Sequence, residues 1–114
     1  MSKVFKICEK IEWESIRTDD FFEGSEMDRS DGFIHFSTSL QLKGTLKKHF
    51  KSKSQLYLLE VNTDDLDIVW EVSRRNELFP HLYHPLPLGA VARVYQIFLD
   101  TKGNHIIPEE VYYN

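Results

Sequence analysis

The chain has 114 residues, close to the commonest size of a single domain, and we predict one domain over residues 1–114. Hydrophobic residues make up 41% of the chain and charged residues 28%, a balance that excludes a disordered chain and allows a core without disulfides. Because 14 Lys and Arg residues stand against 18 Asp and Glu residues, the formal charge is −4. This charge argues against a general nucleic-acid partner but leaves room for a local phosphate site.

The first 37 residues predict two strands separated by a short helix and a loop. Residues 3–8 alternate weakly and suit a strand, while residues 9–17 carry apolar side chains at helical spacing. Segment 18–31 combines two aromatic residues with glycine, aspartates and serines, which predicts a packed loop. Residues 33–37 suit a second strand, whose period of two places His35 on the same face as its neighbours at positions 33 and 37.

A second helix is predicted to begin after this strand. Thr38 and Gln41 have the spacing of a capping box, and apolar residues then recur on one helical face as far as Phe50. The lysines near the end of this segment suit the negative end of the helix dipole. His49 falls on the apolar face by spacing, so we interpret it as structural.

The second half of the chain predicts strands and contains no further helix. Residues 55–61 are apolar on both faces apart from Glu60, which predicts a central strand covered on both faces. Alternation indicates strands at 68–72 and 90–99, and residues 105–108 can form a shorter return strand. Segment 78–88 contains Pro80, Pro85 and Pro87, which should exclude a central strand and leave the segment extended at an edge. The order β-α-β-α-β-β-β-β predicts an α+β fold with two helices in its N-terminal half. No Gly-rich phosphate loop is present, which excludes a Walker site and a dinucleotide-binding Rossmann site.

The N-terminal sequence, the absence of a long apolar run and the cysteine content together predict an intracellular protein. The N-terminal segment lacks the apolar stretch of a signal peptide, and no run approaches the length of a membrane span, so we expect a cytoplasmic chain with no membrane partner. Cys8 is the only cysteine, which excludes an intramolecular disulfide and a cysteine-only zinc site. Its apolar surroundings in the sequence favour a small buried hydrophobe over a nucleophile.

His35 is the first candidate for a functional role. It shares a strand face with Ser37 just before the helix predicted to begin at Thr38, where unpaired amides attract anions. A cleft there could hold a phosphate or a carboxylate. The alternatives are a core histidine bonded to the backbone, with Ser37 and Thr38 acting only as caps.

The segment from Glu71 to Arg74 is the second candidate, because it places a carboxylate, a hydroxyl and a guanidinium at a strand end. Glu71 could orient a ribose or stabilise a developing cation, and Arg74 could bind a phosphate with two parallel hydrogen bonds. The alternative is an ordinary surface salt bridge between Glu71 and a neighbouring arginine.

The aromatic and histidine-rich segment that follows is the third candidate. In an extended chain Phe79, His81 and Tyr83 share one face. His81 and His84 have a spacing that suggests a metal, but two histidines without a nearby carboxylate or cysteine are too few ligands, and we predict no metal. Tyr83 also fits a half-buried aromatic residue with a bonded hydroxyl.

These motifs together resemble one known family. The run from Phe22 to Ser25, then Asp28 and the run from Asp31 to Thr38, is followed by Trp70-Glu71-x-Ser73-Arg74 and Phe79-Pro80-His81-Leu82-Tyr83. In this order they resemble three signatures of the family called domain of unknown function 952, across about residues 4–108. The resemblance implies a fold similar to the ADP-ribosyltransferases, with two small, mostly antiparallel sheets around a cleft that holds NAD in those enzymes.

The resemblance also implies roles for individual residues. His35 would occupy the place of the tyrosine that poly(ADP-ribose) polymerases carry beside the nicotinamide. Glu71 and His81 are the other catalytic candidates, chosen by their chemistry, since no motif identifies the catalytic glutamate. The predicted ligand-binding residues are Ser37, Thr38, Arg74, Phe79 and Tyr83.

The leading hypothesis is therefore a cleft that binds a nucleotide-like or other phosphate-bearing small molecule. Ribosyl transfer with NAD as the candidate cofactor is its catalytic extension, and whether the protein is an enzyme stays open. The first-strand histidine of the ADP-ribosyltransferases has no counterpart in Phe5-Lys6-Ile7, which favours a non-catalytic ligand-binding module as the alternative. A third hypothesis is a protein-binding module whose contact surface is the segment from Pro80 to Pro87.

Overall fold

The computed structural model of the chain describes residues 2–113 and has an α+β architecture, which confirms the predicted class. Its α-helices are α1 (Lys10–Ile16), α2 (Glu26–Asp31) and α3 (Leu42–His49). Its strands are β1 (Lys3–Glu9), β2 (Phe21–Phe22), β3 (Ile34–His35), β4 (Leu56–Asn62), β5 (Ile68–Val72), β6 (Leu78–Leu82), β7 (Leu86–Pro87), β8 (Val91–Leu99) and β9 (His105–Ile106). Short 3₁₀ turns cover Ser39–Gln41, Arg74–Asn76, Leu88–Ala90 and Glu109–Tyr112.

The strands form antiparallel sheets that meet near the N-terminus of α3. Four strands run in the order β1-β4-β8-β9, three in the order β3-β6-β5, and β2 pairs with β7. The four-stranded and three-stranded sheets are joined where Phe5 and Ser37 exchange backbone hydrogen bonds of 2.8 and 2.9 Å. Because Ser37 follows β3, this junction brings the end of β3 and the start of α3 against β1.

The expectation of only two helices in the N-terminal half is wrong, because α2 lies inside the segment predicted as a loop. Ser25 caps α2: its hydroxyl accepts from the Asp28 amide at 3.2 Å, and its own amide donates to the Asp28 carboxylate at 2.9 Å. Gly32, at φ 87°, ends the helix in the left-handed conformation that glycine adopts without strain. A helix of six residues is too short to show apolar periodicity, so only its caps could have revealed it.

The prediction that segment 78–88 avoids a central strand is also wrong. Strand β6, with Pro80 at its centre, lies between β3 and β5. The carbonyl of Pro80 accepts from the Phe36 amide at 3.0 Å, so the missing N–H of Pro80 also faces the β3 side. The proline therefore removes a bond only where β3 has already ended, and the pairing of Pro80 with Trp70 of β5 is unaffected.

Strands β1 and β4 are buried on both faces, as the apolar residues on both faces of segment 55–61 predict for β4. One core contains Val4, Cys8, Leu59 and Val61 packed on the three-stranded sheet, and the other contains Phe5, Ile7, Leu58 and Leu46 of α3. Cys8 is buried, and burial raises the pKa of its thiol, in agreement with its interpretation as a hydrophobe. Within residues 2–113, no helix is long and apolar enough to cross a membrane.

Candidate functional site

A fully buried carboxylate, Asp28, organises one wall of the site. Its side chain is 0% exposed and lies 2.6 Å from the ammonium of Lys6, whose side chain is 6% exposed. The backbone amides of Ser25 and His35 donate to the same carboxylate at 2.9 and 3.1 Å. The Nδ1 atom of His35 donates to Asp28 Oδ1 at 2.5 Å. Asp28 thereby ties α2, β1 and β3 together.

The partners of Asp28 keep it ionised despite its burial. Burial alone would raise the pKa of Asp28, but the hydrogen bond from His35 and the charge of Lys6 outweigh it and hold this pKa well below its ordinary value. A buried ion pair of this kind is expensive to break, because either partner alone would be an unpaired charge in the interior. Lys6 and Asp28 are therefore a structural pair beneath the site.

His35 is held at both ring nitrogens. In addition to the bond from Nδ1 to Asp28, its Nε2 atom lies 3.0 Å from the carboxylate of Asp31. The ring of Phe33 packs at 4.5 Å from the His35 ring and 4.2 Å from the His81 ring, measured between centroids. His35 is half-buried and carboxylate-bonded, which excludes the alternative of a backbone-bonded core histidine.

The second histidine, His81, is placed opposite His35 by the register of β3 and β6, and the two rings are 5.5 Å apart. Its Nδ1 atom donates to Glu71 at 2.7 Å, and Tyr83 donates to the same oxygen of Glu71 at 2.5 Å. These hydrogen bonds, that of Tyr83 foremost, lower the pKa of Glu71, and the bond to Glu71 raises the pKa of Tyr83. His81 and not an arginine is the hydrogen-bond partner of Glu71, so the predicted alternative of a surface salt bridge to a neighbouring arginine does not form.

Arg74 approaches the opposite wall of the site, at α3. Both terminal nitrogens of its guanidinium lie 3.4 Å from the Thr45 hydroxyl, which is 2.9 Å from the Ser37 hydroxyl. The guanidinium also stacks 4.9 Å above the ring of Phe79. Gly44 leaves the space for this arrangement, because a Cβ atom there would lie 2.9 Å from one guanidinium nitrogen.

These groups border a cavity of about 520 Å³ between β1, the β3–β6 pair, α2 and α3. Its polar lining is predominantly basic and hydroxylic, with Glu9 and Glu12 at the start of α1 and Glu26 at the start of α2. The basic and hydroxyl-bearing residues that line it are Lys6, Arg29, Lys48, Lys53, Arg74, His35, His49, His81, Ser25, Ser37, Thr45 and Ser73. Phe5, Phe36, Phe50 and Phe79 provide aromatic walls. Desolvation at the cavity wall, followed by the charges of Lys48 and Arg74, lowers the pKa of His49, although the residue as a whole is exposed.

The structure brings five of the eight predicted site residues to this cavity: His35, Ser37, Arg74, Phe79 and His81. The other three lie away from it. Thr38 acts as a cap, its amide donating to the Gln41 side chain at 3.0 Å. Glu71 and Tyr83 stand behind His81, where they can act only through that histidine. Within residues 2–113, no group of three metal-ligating side chains occurs.

The sequence analysis assigned no role to three residues of the site, although Asp28 and Thr45 belong to the first family motif. Lys6 and Asp28 form its buried ion pair, and Thr45 links Ser37 to Arg74. The sequence could have identified Lys6, because it shares one face of a predicted strand with apolar residues. A charge buried on such a face requires a partner. The interpretation of His49 as an apolar-face residue is wrong, because it is exposed and lines the cavity with Thr45.

A model of the family described as protein of unknown function (DUF952) matches residues 7–94. The chain belongs to this family. The match extends from β1 into β8 and so includes all three motifs on which the resemblance rests.

Solved structures of a relative agree with this membership. The crystal structure of protein CC0527 from Caulobacter crescentus is 36% identical to this chain, with a TM-score of 0.89 over 96% of this chain and 98% of that one. The solution structure of CC0527 is 38% identical, with a TM-score of 0.81 over 96% of this chain and 94% of that one. No curated protein matches this chain.

Proposed function

We propose that the 520 Å³ cavity binds a phosphate-bearing, nucleotide-like small molecule. The observation that supports the proposal is that Arg74 has no counterion among the described residues. Its guanidinium is half-buried, yet in residues 2–113 no carboxylate lies within ion-pair distance of it, and its recorded partners are a hydroxyl and an aromatic ring. A partly buried cation without a counterion is a ready receptor for an anion.

Phosphate suits this wall better than a carboxylate does. A guanidinium can donate two parallel hydrogen bonds to phosphate oxygens. The Ser37 hydroxyl can donate to another oxygen in place of Thr45, whose own hydrogen is donated to the Gln41 carbonyl at 3.1 Å. Lys48 adds positive charge on the same side of α3. The expected phosphate position is therefore at the meeting point of Arg74 and the Ser37 hydroxyl.

The rest of the cavity favours a ligand with an aromatic or sugar portion. Its volume is within the range of small-molecule sites, and phenylalanine rings from β1, β6 and the end of α3 supply apolar walls. These walls could stack on a base while the polar groups at the β3–β6 pair bond a ribose. We keep the ADP-ribosyltransferase-like fold as part of the proposal, supported by a cavity between two antiparallel sheets.

Binding is tested by titration calorimetry and thermal shift with AMP, ADP-ribose, NAD and inorganic phosphate. At 100 times its Kd, a ligand should stabilise the chain by about 2.7 kcal/mol. Arg74→Gln should weaken AMP binding at least about tenfold, because a charge-assisted hydrogen bond is lost. Arg93→Gln, an equal charge change at an exposed position on β8, should leave it unchanged. Absence of binding at millimolar ligand, or equal loss in both variants, would refute the proposal.

Ribosyl transfer is the second candidate, and it is favoured by the pairing of His81 with Glu71. With Nδ1 bonded to a carboxylate, Nε2 of His81 is the nitrogen that can accept a proton at the cavity wall. In the proposed step, the acceptor hydroxyl loses its proton to His81 and attacks the ribosyl carbon, while nicotinamide leaves with the bonding electron pair. Glu71 would position the imidazole and stabilise the imidazolium.

The test is release of nicotinamide from NAD, followed by chromatography. His81→Gln should abolish release, whereas His84→Gln, at an exposed histidine bonded to the Pro85 carbonyl, should not. If NAD binds through Arg74 but no nicotinamide appears, the non-catalytic binding module is the correct alternative. The protein-binding hypothesis loses support because Pro80, Leu82 and Leu86 of its proposed contact segment are buried.

A further inference from the structure

A second, open groove lies on the other side of Arg74 and is not part of the cavity described above. It has a volume of about 680 Å³ and is formed by α3 with the turn at Arg74–Asn76. Five cationic side chains line it, together with a single carboxylate, that of Glu77. The cations are Lys43, Lys47, Lys48, Arg74 and Arg75.

The charges of this groove are not compensated by the protein. In the part of the chain that the structure describes, no carboxylate lies within ion-pair distance of any of the five cations. This occurs in a chain whose overall formal charge is −4, so carboxylates are not scarce. Concentrated positive charge of this kind repels itself and is stabilised by a bound anion.

The groove and the inner cavity share a wall. Lys48 and Arg74 line both of them, and the guanidinium of Arg74 crosses α3 at Gly44. Successive residues of an α-helix are separated by 100° around its axis. Measured from Thr45, which faces the inner cavity, Gly44 lies 100° away, and Lys47 lies roughly 160° away in the same direction of rotation. Arg74 therefore lies between the Thr45 hydroxyl and the outer lysine.

We propose that this groove binds a second phosphate group of the ligand, so that the substrate class is a nucleotide with two separated phosphates. The inference rests on the proposed function, which assigns the first phosphate to the inner side of Arg74. A helix with its side chains is about 10 Å across, so anions on opposite sides of α3 lie several ångströms apart. Two phosphates joined through one bridging oxygen, as in ADP, are too close together to reach Thr45 and Lys47 at once.

The backbone conformation at the groove also supports an anion-binding site. Arg75 and Asn76 have φ values of 57° and 61°, in the left-handed region that asparagine tolerates but arginine rarely adopts. This turn returns the chain so that Arg74 and Arg75 both line the groove. Neither arginine gains a carboxylate partner from the arrangement, so an anion at the groove would supply the missing contact.

The test compares adenosine 3′,5′-bisphosphate with AMP and ADP by calorimetry at one fixed salt concentration. The bisphosphate should bind about tenfold more tightly than AMP, the effect of one further charge-assisted contact. The double variant Lys43→Gln with Lys47→Gln should remove that advantage and leave AMP binding unchanged. The matched control is Arg93→Gln with Lys102→Gln, two exposed positions outside both cavities, which should retain the advantage.

The alternative outcomes separate this inference from the proposed function. If AMP binds through Arg74 but the bisphosphate binds no better, the inference is wrong and the proposed function stands. If ADP gains as much as the bisphosphate and the lysine variant keeps the gain, both phosphates lie in the inner cavity and the inference is again wrong. If no nucleotide binds, both proposals fail. Thermal denaturation of each variant verifies that the fold is intact.

Discussion

Gly44 offers a sharp test of the site, because the same substitution should stabilise the fold and weaken binding. A Cβ atom at this position would lie 2.9 Å from one terminal nitrogen of Arg74 and 3.4 Å from its central carbon. These atoms form the end of a flexible side chain, so Gly44→Ala should displace the guanidinium and not the helix. Gly89, where an added Cβ would meet nothing within 4 Å, supplies the matched control.

We expect Gly44→Ala to raise the stability of the fold and to lower the affinity for AMP. Replacing glycine by alanine within α3 should raise the free energy of unfolding by about 1 kcal/mol, because alanine has the higher helix propensity. For a chain of this size, that corresponds to an increase in Tm of about 4 °C. A guanidinium pushed outward by roughly 0.5 Å, to reach ordinary van der Waals distance, would lengthen its contacts to Thr45. We expect AMP binding to weaken about tenfold.

The assay combines thermal denaturation with calorimetric titration of AMP into the wild type, Gly44→Ala and Gly89→Ala. A more stable Gly44→Ala variant that binds AMP as tightly as the wild type would refute the role given to Arg74. A less stable variant would show that α3 requires glycine for its backbone, which the structure does not predict. Gly89→Ala should retain wild-type affinity.

Three further predictions concern the carboxylates. Asp28→Asn should lower the free energy of unfolding, measured by denaturant titration, by about 3 to 5 kcal/mol, because it leaves a buried lysine unpaired. The control Asp31→Asn changes a half-exposed side chain and should lower it by less than about 1 kcal/mol. Because the pKa of Asp28 is lowered on folding, its stabilisation is fully present above the ordinary aspartate pKa and is lost as the pH falls below about 4. The difference in stability between the wild type and Asp28→Asn should therefore shrink in acid, and a constant difference would contradict the sign. Glu71→Gln should lower the pKa of Tyr83 toward its ordinary value, measured by NMR of labelled tyrosine, and an unchanged pKa would exclude the hydrogen bond to the Glu71 carboxylate as its cause.

Local patterns were sufficient for elements whose own residues determine them. Alternation predicted β1 and β8, and the apolar residues on both faces of β4 predicted a strand covered on both sides. The capping residues at Thr38 likewise indicated where the turn leading into α3 begins. Such signals are read within a few residues and depend little on the rest of the chain.

Pro80 illustrates where local rules fail. A proline excludes a central strand only where a neighbouring strand requires the hydrogen bond that its missing N–H cannot donate. The nitrogen of Pro80 faces the β3 side of the sheet, at a level beyond the last paired residue of β3. Which side faces the neighbour depends on the register between distant segments. The sequence of β6 alone contains no information on that register.

The sequence by itself determined the residue types of the candidate site: a histidine on β3, an arginine after β5 and a histidine on β6. Only the tertiary structure decided that the two histidines meet through the register of β3 and β6, that Glu71 stands behind one of them, and that Arg74 crosses α3 without a counterion. The physical reason is that periodicity specifies the direction in which a side chain points, whereas its partner is set by strand pairing and by the burial of the whole chain.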